Sequence, residues 1–187
     1  MRIKTLAIAG VFLVGAAAIA TIAVETRQRP FPVFRNRASP HEAVDATIDG
    51  AELTITYGRP YMRGRTIMGG LVPYGRWWCP GADEATELTT SKALRMADLS
   101  VPAGTYTLYM LPAAGDWTLM INKRTGMFHT QYVPADDLGR ITLRKRQIDT
   151  PVEQLTFVFD PNPSGGGGMI AMRWETTEVS APFVVVR

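Results

Sequence analysis

Between residues 39 and 187 the apolar side chains recur at every second position in short runs, and no stretch there carries the three-to-four spacing of a long helix. Leu53, Ile55 and Tyr57 alternate with Thr54 and Thr56, and Trp117, Leu119 and Ile121 repeat the pattern, as do Ile141 with Leu143 and Leu155 with Phe157 and Phe159. Successive side chains of a strand face opposite ways, so a period of two sends one row into a core and the other toward water. Further strands are expected over 87–96, 105–111, 169–174 and 179–186, with a single helical turn over 135–138. Turn-forming residues punctuate these runs at Pro102-Ala103-Gly104, Ala114-Gly115-Asp116, Thr125-Gly126 and the Pro/Asn/Gly segment 160–168. Together they predict an all-β domain, an antiparallel β-sandwich of about eight or nine short strands. The glycines 165–168 lack the Lys-Ser/Thr and the following helix of a phosphate loop, so they are read as a hairpin tip.

Residues 57–85 break the alternation. They contain six Gly, three Pro, four Arg and five aromatics, namely Tyr57, Tyr61, Tyr74, Trp77 and Trp78. Flexible linkers are rich in Gly and Ser and lack large side chains, whereas these rings need something to pack against. The segment is therefore expected to be a long ordered loop system, the kind of place where binding and catalysis concentrate.

Residues 6–24 form a run of 19 without a charge, after Arg2 and Lys4. The run approaches the roughly 20 residues that span a bilayer, and Ala18-Ile19-Ala20 offers the small-x-small pattern of a cleaved signal peptide. The expected organisation is an N-terminal apolar helix over 1–24 serving as signal peptide or single transmembrane anchor, an extended tether over 25–38, and the β domain over 39–187. Both readings place the domain outside the cytoplasm, on the periplasmic side of the cell envelope. Arg27, Arg29, Arg35 and Arg37, just beyond the run, raise the alternative of an inverted anchor.

Setting aside residues 1–24 leaves 18 basic against 17 acidic residues, and the only dense basic run is Arg140, Arg144, Lys145 and Arg146. A nucleic-acid partner is not expected from a chain so nearly balanced. Cys79 is the single cysteine, so an internal disulfide is excluded; between Trp78 and Pro80 it reads as a buried apolar residue rather than a nucleophile.

The usual catalytic signatures are missing: there is no Gly-x-Ser-x-Gly, no His-Glu-x-x-His and no cysteine pair. No catalytic residue, metal or cofactor is assigned. A metal site would need His129 brought to Asp136 or Asp137 by folding. The charge pattern of the loop system says more. Arg59 and Arg65 can present planar forks to a carboxylate or phosphate, and Glu84 supplies an internal carboxylate. Either these groups line a cleft, or Glu84 and the arginines form a bridge that pins the loop to the sheet. For Trp77 and Trp78, neighbours on an extended segment, one ring is expected inward and one outward. The candidate binding residues are thus Arg59, Arg65, Trp78 and Glu84.

The same residues carry a resemblance. Ser39-Pro40, Tyr57-Gly58-Arg59-Pro60, Gly64-Arg65, Gly69 with Leu71-Val72-Pro73-Tyr74-Gly75, Trp78 and Gly81-Ala82-Asp83-Glu84-Ala85-Thr86 resemble the bacterial family called domain of unknown function 2911. Pro102-Ala103-Gly104-Thr105-Tyr106, Trp117 with Asn122-Lys123, and Trp174-Glu175 leading to Val179-Ser180-Ala181-Pro182 look like its later blocks. Two positions depart, with Cys79 where the family pattern has Arg and Asp83 where it has Asn. The resemblance implies an exported or envelope-associated, mostly β protein, and no reaction. The expected role is a non-enzymatic module that binds carbohydrate, a cell-wall fragment or a protein partner through the 57–85 loops. The alternatives are a hydrolase with Glu84 as acid or base, and a structural envelope component.

Overall fold

The computed structural model describes residues 25–28 and 38–186, so the apolar helix expected over 1–24 lies outside the described residues. Ten strands form: β1 (Glu25–Gln28), β2 (His41–Ile48), β3 (Ala51–Gly58), β4 (Glu87–Thr90), β5 (Leu94–Met96), β6 (Leu99–Val101), β7 (Gly104–Leu111), β8 (Trp117–Asn122), β9 (Asp137–Pro161) and β10 (Gly167–Val185). They join in one open antiparallel sheet in the order β1-β2-β3-β4-β7-β8-β9-β10-β5-β6, with nine strands from His41 onward and the short β1 on one edge. Among the described residues the only helical element is the 3-10 turn Pro134–Asp136, close to the single turn expected over 135–138.

The all-β antiparallel expectation holds, but the strand inventory differs. The runs around Ile141 and Phe157 are parts of one 25-residue strand, β9, and those over 169–174 and 179–186 are parts of the 19-residue β10. Conversely, 87–96 divides into β4 and β5 at the Ser91-Lys92 turn. The long strands persist because β9 changes partner instead of ending: residues 137–143 pair with β8 and residues 144–161 with β10. Pro151, which cannot donate to a ladder, sits in an irregularity where Ile148 to Pro151 lie between the Glu175↔Val152 and Thr177↔Gln147 pairs. Thus a single continuous sheet stands where two sheets of short strands were expected.

This sheet bends over a single main core. Tyr57 of β3 meets Phe157 of β9 edge to face, with ring centroids 5.0 Å apart, and the Phe157 amide donates to the Tyr57 hydroxyl at 3.1 Å. Leu53, Ile55, Leu88, Leu108, Leu119, Leu143, Phe159, Met172 and Val179 fill the same core. Burial alternates along β3 as the sequence indicates, with Leu53, Ile55 and Tyr57 buried while Thr54 and Thr56 are half-buried. A second, smaller cluster of Cys79, Ala85, Tyr109 and Met120 lies apart from it, beneath Met127 and Tyr132.

The loop system 57–85 is held by backbone hydrogen bonds to β9, to β7 and to Pro112 just beyond β7. Leu155 donates to the Pro60 carbonyl, Met62 to Glu153, Gly75 to Pro112, and Trp78 exchanges both bonds with Met110. Gly58 and Gly81 allow its two ends to cross: a Cβ on Gly58 would run into the Ala82 carbonyl, and one on Gly81 would meet the Thr86 hydroxyl at 2.8 Å. Order in this segment thus follows from its aromatics, its glycines and its pairing with β7 and β9.

Candidate functional site: a cationic, tryptophan-lined cavity

A cavity of about 490 Å³ opens between the start of β2 and the loop system. Ser39 and Pro60 border it where Arg59 donates its amide to the Pro40 carbonyl. One wall is tryptophan. Trp174 of β10 is fully buried and stacks on Trp78 at 6.3 Å and 15°, while Trp117 meets Trp78 edge-on at 6.4 Å. The Trp174 indole N–H donates to the Glu153 carbonyl, and the next residue, Glu175, accepts the amides of Ile67 and Met68. Adjacent residues of β10 therefore fix both a ring of the cavity wall and the backbone of the loop beside it.

The other wall is cationic. Arg63 and Arg65 are exposed on the cavity lining. Arg65 donates from Nε to the Met62 carbonyl at 2.9 Å and from Nη2 to Tyr61 at 2.6 Å, and Arg63 donates to the Ala38 carbonyl at 3.0 Å. Arg63 also lies 5.9 Å from the centroid of the Tyr61 ring. Carbonyls orient the two guanidiniums without neutralising them, and among the described residues neither has a carboxylate partner. His129 completes the lining; its Nδ1 lies 2.8 Å from the Asp83 carbonyl. A carbonyl can only accept, so this contact places the Nδ1 proton on the ring. The lining contains no carboxylate.

Of the four candidates read from the sequence, Arg65 and Trp78 line the cavity, whereas Arg59 and Glu84 do not. Arg59 is bound to the sheet: Nη1 to Glu42 Oε2 at 2.7 Å, Nε to the Leu155 carbonyl at 3.0 Å and Nη2 to the Thr156 hydroxyl at 2.9 Å. The bridge that pins the loop thus exists, but its carboxylate is Glu42. Glu84 lies against His41, 3.5 Å from Oε2 to Nδ1. Sequence reasoning missed Arg63, His129 and Trp174. Arg63 and Arg65 flank Gly64, and both Arg63 and Gly64 have positive φ (50° and 70°), a tight turn that carries the two cations to one side. The Arg-Gly-Arg triplet was a usable signal, whereas nothing local marks His129.

The expectation of one inward and one outward tryptophan holds, since Trp77 is 41% exposed and packs on Tyr132 while Trp78 turns to the cavity. Cys79 is buried as expected; burial pushes its thiol up to about 12, against a smaller opposing effect of the Thr86 amide. His129 does not meet Asp136 or Asp137; the Asp137 carboxylate is taken by Asn122, Tyr132 and Arg140. Among the described residues no group of three His, Cys, Asp or Glu is placed to hold a metal ion.

The family model described as "Protein of unknown function (DUF2911)" matches residues 39–183. The chain belongs to this family. No curated protein and no solved structure matches it. The matched DUF2911 region contains every lining residue of the cavity except Ala38. Sequence blocks separated by more than a hundred positions, from Ser39 to Trp174, converge on this one opening.

Proposed function

We propose that this DUF2911 protein is a non-enzymatic binding domain of the cell envelope, exported or anchored by residues 6–24, which takes an anionic, hydroxyl-rich ligand in the cavity. The observation that carries this reading is the pair Arg63 and Arg65, two guanidiniums oriented by carbonyls and left charged beside a tryptophan wall. A planar fork suits a carboxylate or phosphate, and the half-buried Trp78 ring, backed by the buried Trp174 and Trp117, suits the apolar face of a sugar ring. The volume lies within the roughly 300–1,000 Å³ typical of ligand pockets. Acidic glycans and carboxylate-bearing cell-wall fragments combine both features. The open sheet, bent over its core, gives the cavity a frame. A hydrolase with Glu84 as acid or base draws less support, because Glu84 stands outside the lining and no lining residue is a carboxylate. A purely structural role leaves the cationic cavity without a use.

The test is thermal unfolding of the full chain in nonionic detergent, with uronic-acid oligosaccharides, cell-wall fragments and their neutral counterparts. A ligand at about a hundred times its dissociation constant adds roughly 2.7 kcal/mol. Stabilisation by the acidic compounds alone, lost in Arg63→Ala and Arg65→Ala, is the expected result. Equal stabilisation by neutral compounds, or retention in both variants, would refute the assignment.

A further inference from the structure

On the opposite side of the Trp77-Trp78 pair lies a separate open groove of about 590 Å³, lined by Arg76, Trp77, Leu111, Met120, Tyr132 and Arg140. Its floor is the outer face of β7 and β8. Side chains alternate along β7, so Leu108 and Met110 enter the main core while Tyr109 and Leu111 face outward, and Tyr109 pairs across the ladder with Met120. Trp77 and Tyr132 together form one wall, their rings in contact with centroids 5.3 Å apart, and both lean on Tyr109 at 6.0 and 4.6 Å.

This wall is fixed in advance. The Tyr132 hydroxyl donates to Asp137 at 2.8 Å and accepts from Arg140 at 3.2 Å, while the Gly75 amide donates to the Pro112 carbonyl beside Trp77. Little ordering entropy remains to be lost on binding. Trp77 and Leu111 are nevertheless 41% and 37% exposed. Two cations flank the groove. Arg140 is compensated by Asp137, whereas Arg76 is exposed and among the described residues has no hydrogen-bond or ion-pair partner. No carboxylate is among the lining residues, and that of Asp137, which holds Tyr132 and Arg140, is also bonded to Asn122.

We propose that this groove is a docking site for an acidic segment of a partner protein, in which one large apolar side chain lies over Met120 and Leu111 against the joined Trp77 and Tyr132 rings and a flanking carboxylate pairs with Arg76. Trp, Tyr, Met and Arg are the residues that interfaces concentrate at their energetic centres, with Lys, Glu and Asp depleted there. The groove has that composition. Its open shape covers one side of a ligand only, which fits an extended segment held along a surface, and the uncompensated charge of Arg76 selects acidic chains over basic ones by electrostatic complementarity.

The test uses the full chain in nonionic detergent and a dye-labelled, end-capped peptide with a Phe-Leu centre and two glutamates on each side, followed by fluorescence anisotropy. A version with lysines in place of the glutamates serves as control. The expected result is at least tenfold tighter binding of the acidic peptide, an affinity that falls as salt rises, and at least tenfold weakening by Arg76→Glu and by Trp77→Ala. Arg76 is exposed, so Arg76→Glu decides the matter even if Trp77→Ala disturbs the small core beneath it. Arg65→Ala, in the other cavity, should leave peptide binding unchanged. Equal binding of acidic and lysine peptides would overturn the assignment, as would indifference to Arg76→Glu. A loss in Arg65→Ala as large as in Arg76→Glu would place the peptide in the cationic cavity instead, and competition by free glucuronate would mark the groove as a small-molecule site.

Discussion

Arg59 and Glu42 form an ion pair, Nη1 to Oε2 at 2.7 Å, in which Glu42 is nearly buried and Arg59 only partly exposed. The pair joins the end of β3 to β2, and the remaining Arg59 donors reach Leu155 and Thr156 of β9. One guanidinium thus links three strands at the root of the loop system, while Arg65, six residues on, bonds only to carbonyls of its own loop.

These two arginines should therefore separate in stability. Arg59→Ala leaves the Glu42 carboxylate buried without its guanidinium and should cost about 3–5 kcal/mol, read as a lower midpoint in urea unfolding. Arg65→Ala should stay within about 0.5 kcal/mol of the parent chain and alter only ligand binding. Comparable losses in both variants would show that Arg65 belongs to the scaffold.

Gly58 and Ala82 make a backbone crossing that no side chain can share. Its Cβ would press on a carbonyl oxygen instead of on the flexible end of a side chain, so Gly58→Ala has to move one loop strand off the other and should cost about 1–3 kcal/mol or more. Gly115→Ala, where a Cβ meets nothing within 4 Å, is the matched control and should be close to neutral. Denaturant midpoints of the two variants that coincide would remove the crossing as the reason for Gly58.

Cys79 has both its neighbours inside the fold: its Sγ lies 3.6 Å from the Leu108 carbonyl and accepts the Thr86 amide at 3.4 Å. With burial raising the thiol to about 12, almost no thiolate exists near neutrality, and the thiolate is the reactive form. Native protein at pH 8 should resist iodoacetamide, and protein in denaturant should be alkylated at the rate of a free cysteine. Fast labelling under native conditions would mean that the 57–85 loop opens readily around Trp78.

How far the sequence foretold all this depends on which interactions are local. The alternation of Leu53, Ile55 and Tyr57 is a property of one strand, and β3 shows it directly. The continuity of β9 is not local: whether residues 144–161 begin a new strand or extend the old one depends on β10 being available as a second partner. In the cavity, Trp78 and Arg65 were legible because aromatics and cations within a glycine-rich loop need a reason to be there. Glu42 as the partner of Arg59 was not, since the pairing arises only from the β2–β3 register that sets His41 opposite Gly58. Trp174 lies far along the chain from Trp78, and only the bend of the sheet stacks them.

Glu178 offers a test in which pH reports on the fold. It is 4% exposed on β10, opposite Arg146 of β9, and accepts from Arg146 and from Arg173, which lies on the other side of the irregularity at Glu175. Burial alone would raise its carboxyl, but the hydrogen bonds and charges of the two guanidiniums outweigh this and hold it below its ordinary value of 4.5. With the folded value depressed, the native state binds fewer protons than the unfolded chain as pH falls through this range. Its contribution to stability is therefore present in full above about pH 4.5 and is lost as pH drops through the lower folded value. Glu178→Gln should destabilise at pH 7, by less than the about 3–5 kcal/mol of a fully buried pair, because Arg146 and Arg173 are exposed enough to be hydrated by water. The same variant should show a shallower loss of stability between about pH 5 and 3, read as urea midpoints at half-unit steps. Parallel pH profiles for parent and variant would show that another carboxylate governs acid unfolding, and that the Arg146–Glu178–Arg173 cluster aligns β9 with β10 without setting the protein's acid limit.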